Sequence, residues 1–179
     1  MRYTSIADIY SANQAIRERF LETINDIASA EAAAIPDGEV WSIQHIVEHL
    51  WMVEFGTSRI CRRLLDAAKA EGKPSDGSFS LGPHFGERAA QIAVTRVEAP
   101  ERVQPTGAVP IAESLEKMKQ TAADLDAMRA DFEQFELAGH TFPHPFFGDL
   151  NAGEWLVMAG LHERRQTDQI ARLAAKIRQ

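Results

Sequence analysis

The chain has 179 residues, a formal net charge of -7, and a composition 45% hydrophobic and 25% charged, enough to bury one core of useful size. The acidic balance opposes attraction to phosphate backbones, no basic segment is interleaved with aromatics, and no apolar run approaches the roughly 20 residues that span a bilayer, which argues against nucleic-acid and membrane partners. The N-terminal stretch MRYTSIADIY lacks the apolar core of a secretion signal, so the expectation is a single cytoplasmic domain over residues 1–179.

Four long segments repeat apolar residues at helical spacing and none alternates with period two, so an all-α fold is expected. In the first, Ile6, Ile9, Ile16, Phe20, Ile24 and Ile27 form the stripe, Ser5 is a plausible N-cap with Asp8 at N3, and the helix should run to about Ala34, before Pro36 and Gly38. The second begins at WSIQHIVEHL, where Ser42 caps and Trp41 with Ile46 makes a hydrophobic staple. Its stripe runs from Ile43 to Leu65, and Gly72 with Pro74 closes it.

Residues 71 to 110 are rich in Gly, Pro and Ser and read as an extended crossover with one short helix near Glu87 to Ile92. A crossover of that length lets the second and third helices run parallel. Pro110 suits the first turn of the third helix, whose stripe is Ile111, Leu115, Met118, Ala122, Leu125, Met128, Phe132 and Phe135. The linker LAGHTFPHPFFGDL leads to the fourth helix, capped by Asn151 with Glu154 and stapled by Leu150 with Trp155. Arg172, Lys176 and Arg178 suit its negative C-terminal end. The sum is a four-helix bundle with a long crossover between helices two and three.

The stripes carry polar residues that an apolar core would reject. His162, Gln166 and Gln169 lie among Ala159, Ile170 and Leu173 on the fourth helix. Glu54 lies inside the arc of the second with His49 on its shoulder, and Asn13 falls in the stripe of the first. A buried polar group without a partner costs about 1–3 kcal/mol, so these residues are expected to share a hydrogen-bond network, a water-filled pocket or a metal. Cys61 is the only cysteine, so a metal site here has to use nitrogen and oxygen donors. Cys61 itself reads as inert packing, and a histidine on an apolar face is more often a hydrogen-bonded core residue than a ligand.

The stretches WSIQHIVEHLWMVE, APERVQPTG and HPFFGDLNAGEWLVMAGLHERRQTDQI together resemble the DinB-like superfamily, which includes the YfiT-type metalloenzymes. The resemblance covers nearly the whole chain. It implies a four-helix bundle with a long connection between helices two and three, and a divalent metal, zinc or nickel, held by one histidine on helix two and two at H-x-x-x-H on helix four. Those positions here are His49, His162 and, in place of the third histidine, Gln166. A neutral amide offers only a carbonyl oxygen, so affinity should fall unless water or a carboxylate completes the shell. Glu54 is the nearest carboxylate, and its place one and a half turns beyond His49 suits a supporting or structural role.

Characterised members of the family include thiol-dependent S-transferases and a mycothiol-dependent isomerase, so the resemblance implies a metal-dependent transferase or hydrolase of a small molecule. No residue of the chain identifies a thiol cofactor. The competing expectation is a bundle that binds a ligand or partner without chemistry. The resemblance also implies a homodimer, for which aromatics near Trp51 and Phe55 could supply the surface. In FPHPFFG the favoured reading is a rigid turn shaped by Pro143, Pro145 and Gly148. The alternative places His144 at the pocket mouth. His140 is a loop histidine, and His45 and His84 read as exposed, without a role.

Overall fold

The computed structural model describes residues 3–95 and 98–179. Helix α1 (Ile6–Asn25) starts where Ser5 Oγ accepts from the Asp8 amide and Asp8 Oδ2 accepts from the amides of Thr4 and Ser5, a reciprocal cap. It ends nine residues short of Ala34, and a separate short helix α2 (Ser29–Ala33) follows. After Ile27 the sequence is mostly alanine, with no large side chain to anchor a continued helix on the core. Arg178, from the far end of the chain, instead holds Asp26 and Glu31 at the corner.

Helix α3 (Ile43–Glu71) is capped by Ser42 and stopped by Gly72, whose φ of 74° is the left-handed C-cap that glycine reaches without a Cβ penalty. The crossover contains α4 (Phe85–Val94), as the sequence suggests, and a 3-10 turn (Glu101–Val103). The expected third helix divides at Met128 into α5 (Ile111–Ala127) and α6 (Arg129–Gln134). The apolar stripe carries through the break, with Leu125, Met128 and Phe132 all buried.

The linker is more regular than a turn. Thr141–His144 (β1) pairs antiparallel with Gly148–Asn151 (β2), and Gly148 takes φ 74° at the start of β2. Helix α7 (Ala152–Ile177) follows directly, with Asn151 and Glu154 capping each other.

Helix directions follow from ladders of contacts. Asn13, Arg17 and Arg19 of α1 meet Leu156, Glu163 and Asp168 in rising order, so α1 and α7 are parallel. Cys61 bonds Ala152 while His49 meets His162, so α3 and α7 are antiparallel. Lys117 of α5 lies over Trp51 and Lys69 reaches Asp131 of α6, so α3 runs parallel to α5 and the α6 segment that continues it, as the long crossover permits.

The apolar core is in two parts. One, toward the hairpin, contains Ile9, Cys61, Leu65, Phe132, Trp155, Leu156 and Val157. The other, toward the end of α7, contains Phe20, Ile43, Ile46, Leu50, Met118, Ile170 and Leu173. Between them Asn13, Arg17, Glu54, His162 and Glu163 form a polar layer across the middle of the bundle. No described helix is long and apolar enough to cross a membrane. Of the aromatics named for a dimer surface, Phe55 is exposed, whereas Trp51 is half-buried with Lys117 Nζ 4.2 Å from its ring centre.

Candidate functional site

His49, His162 and Gln166 meet between α3 and α7. His49 Nε2 is 3.2 Å from His162 Nε2, and Gln166 Nε2 is 3.4 Å from the same His162 nitrogen. The i, i+4 spacing of His162 and Gln166 on one helix puts both side chains toward α3. His49 is 4% exposed although it lies on the shoulder of its helix, because Trp41 packs against it at a tilt with ring centres 5.0 Å apart and the crossover covers its other edge.

Local chemistry sets the state of the imidazoles. His49 Nδ1 is 2.7 Å from the carbonyl oxygen of Val103, which only accepts, so Nδ1 carries the hydrogen and Nε2 presents its lone pair to His162. Burial pushes the His49 pKa down, against the pull of the Val103 carbonyl. His162 is pushed to about 3 by burial first, then by the nearby charges of His49, Arg165 and His144. Both rings are therefore neutral at pH 7, the form that ligates metals.

The geometry accommodates a metal ion. Two nitrogens bound to one tetrahedral zinc at bond lengths of about 2.0–2.1 Å are about 3.3 Å apart, and the two Nε2 atoms stand 3.2 Å apart. A carbonyl on the outer nitrogen of a ligating histidine is the usual arrangement behind a metal ligand. Gln166 is 7% exposed, and its Oε1 is buried without a partner. Turning the amide over presents that oxygen to His162, as a third donor would require. Among the described residues no cluster of three or more His, Cys, Asp and Glu that could hold a metal occurs; His49, His162 and Gln166 bring together two imidazoles and an amide.

The other residues singled out in the sequence take structural places. Glu54 bonds Arg17 at 2.7 Å and no imidazole. Arg17 also grips Glu163 through Nε at 2.6 Å and NH2 at 3.1 Å. Asn13 donates to the Leu156 carbonyl, at the level where α7 brings Gly160 so close that a Cβ there would lie 2.0 Å from Asn13 Oδ1. Cys61 is buried, its thiol is pushed up to about 12 by burial, and it stays a weak donor to Ala152.

His144 packs on Trp155 and Phe147 with ring centres 5.0 and 5.1 Å away, and its Nδ1 accepts the Phe146 amide at 3.1 Å. Burial first and Arg102 second push it to about 4. His140 bonds Glu71. His84 is exposed, as expected. His45 is not: it is half-buried, and its Nδ1 lies 2.8 Å from Ser42 Oγ and 3.3 Å from the Ser42 amide, filling the place a glutamate takes in a capping box.

Sequence reasoning passed over Glu48, beside the site. Its carboxylate accepts from Thr106 N at 3.1 Å, Thr106 Oγ1 at 2.9 Å and Gly107 N at 2.7 Å. Glu48 and His49 together fasten the crossover over the site. At about 100° per residue Glu48 points away from the stripe of its own helix, so only the covering crossover segment makes it a buried residue. A carboxylate that takes several backbone bonds has no local sequence signal.

The family profile of the DinB superfamily matches residues 12–170. The uncharacterized protein YuaE of Bacillus subtilis (strain 168) is 25% identical over 172 residues, which cover 89% of this chain and 95% of that protein. Among solved structures, the crystal structure of TT2238, a four-helix bundle protein, matches with a TM-score of 0.61 at 22% identity, covering 94% of this chain and 99% of that one. That likeness concerns the fold.

Proposed function

The chain belongs to the DinB superfamily, and from that membership we propose that it is a metal-dependent enzyme in which His49, His162 and Gln166 hold one divalent ion, zinc or nickel. The observation that carries this reading is the 3.2 Å spacing of two neutral imidazole nitrogens, with the outer nitrogen of His49 tied to a carbonyl. When bound, such an ion supplies a Lewis acid that lowers the pKa of a water or thiol beside it. The chain's own residues do the rest. Val103 fixes the His49 tautomer, Trp41 shields that ring from water, and Gln166 is a weak third donor that leaves room for a substrate group. The reaction class that suits this arrangement is transfer of a thiol to, or hydrolysis of, a small molecule, in the cytoplasm.

One observation favours a bundle that binds a ligand or partner without chemistry: His49, His162 and Gln166 already lie within hydrogen-bond distance of one another, with no carboxylate or further histidine joining them among the described residues. Thermal unfolding with added zinc or nickel separates the two readings. The metalloenzyme reading expects a rise in melting temperature that His49→Ala abolishes. An unchanged melting temperature in the wild type contradicts it and leaves the binding bundle.

A further inference from the structure

The polar layer contains one cation for two buried carboxylates. Arg17 from α1 gives two hydrogen bonds to Glu163 of α7 and one to Glu54 of α3, so with both carboxylates ionised the cluster holds a net negative charge inside the bundle. The two glutamates are not equivalent. Glu163 uses both oxygens on Arg17, whereas Glu54 uses only Oε1, and its Oε2 is buried without a partner. A proton entering this cluster therefore settles best on Glu54 Oε2.

That oxygen belongs to a side chain that walls a small cavity of about 10 Å³, shared with His162 and Ala159 of α7, Leu50 of α3 and Met118 of α5. Room of that size suits a single water-sized group. The charged and titratable groups around Glu54 are Arg17 from α1 and Glu163 with His162 from α7, while α5 presents the apolar Met118. His162 is neutral, so the cavity has a lone-pair donor on one wall and a carboxylate on another.

We propose that Glu54 is the proton acceptor of this pocket: a water bound beside His162 gives its proton to Glu54 Oε2, the O–H bond breaking with its electron pair left on the water oxygen. This deepens the metalloenzyme reading and rests on it. Arg17 positions Glu54 through Oε1 and leaves Oε2 free to take the proton. Burial raises the Glu54 pKa first, Arg17 opposes it and Glu163 adds to it, and the result is about 7, where a base exchanges protons most readily at neutral pH.

Zinc ion alone is the probe. Infrared spectra of the full chain, zinc-free and zinc-loaded, are recorded across about pH 5–9, which runs from the ordinary carboxylate range to above neutrality, with zinc uptake measured in parallel. The zinc-free wild type should keep one band of a protonated carboxyl group that is lost as pH rises through about 7, and zinc loading should move that loss to lower pH, as a bound dication beside the acceptor requires. Isotope-labelled glutamate should shift that band, which assigns it to a glutamate without relying on a variant. Glu54→Gln, which keeps the shape and the acceptor for Arg17, should bind zinc and lack the band. A band that persists in Glu54→Gln, or one whose loss zinc binding does not move, overturns the role of Glu54 and leaves the metal site standing. Zinc bound by neither protein overturns both.

Discussion

His49 Nδ1 and the Val103 carbonyl oxygen stand 2.7 Å apart, joining the second bundle helix to a strap 54 residues further along the chain. The adjacent Glu48 grips the same strap three residues later, so ring orientation at the site and closure of the crossover are one structural event.

The Glu48 clamp should be visible as a pH-dependent contribution to stability. Burial opposes ionisation of Glu48, but the bonds from Thr106 and from the Gly107 and Val109 amides outweigh it and hold the carboxyl below its usual range. A depressed folded pKa contributes stability that is complete above the unfolded value of about 4.3 and is lost as pH falls below it. In urea titrations, Glu48→Gln should be about 1–3 kcal/mol less stable than the wild type near neutrality, and the gap should narrow as the medium is acidified below about pH 4. A gap independent of pH would contradict the clamp.

Gly107 is the strap's weak point for substitution. Its φ is +71°, and a Cβ there would lie 2.3 Å from the His45 ring, whereas Gly72, at φ +74°, has open space around its Cβ position. Gly72→Ala should cost about 1 kcal/mol for backbone strain alone. Gly107→Ala adds the collision and should cost more, in the range of about 2–3 kcal/mol by chemical denaturation. Equal costs at the two positions would place the His45 contact in doubt.

Glu54 predicts the opposite pH behaviour to Glu48. Its folded pKa of about 7 lies above the unfolded value, so its contribution is complete below the unfolded pKa and is lost as pH rises through the folded one. Glu54→Gln should therefore gain stability relative to the wild type between about pH 4.3 and pH 7, with the difference constant above that. Equilibrium unfolding at a series of pH values reads the sign directly. Arg17→Met is the complement: it strands two buried carboxylates and should cost about 3 kcal/mol or more at neutral pH, less as they protonate.

The four bundle helices were legible because each buries a long stripe, and the parallel pair α3 and α5 was legible from the length of the crossover. The early end of α1 and the break at Met128 were not, since periodicity carries through a corner when the next turn buries the same face: Met128 and Phe132 stay in phase across the break. The hairpin was hidden by its brevity and by Pro143, which sits opposite Asp149 in the two-stranded sheet. At the site, His162 and Gln166 could be read because a polar residue in an apolar stripe is conspicuous. Arg17, Glu48 and the Val103 carbonyl could not, because each becomes important only through a neighbour far away in sequence.

Gln166→His tests the weak third donor. Replacing the amide oxygen by an imidazole nitrogen should raise zinc affinity at least about tenfold, or 1.4 kcal/mol, in competition with a chromophoric chelator. No gain in affinity would mean that position 166 does not face the ion.

The most direct measurement is the elemental content of untagged wild-type protein after equilibration with zinc or nickel and removal of free ion, beside the His49→Ala and His162→Ala variants. The account predicts close to one equivalent of bound ion in the wild type and a loss of most of it in either variant. Wild-type protein without bound metal, or variants that retain as much as it does, would contradict a metal centre at His49 and His162.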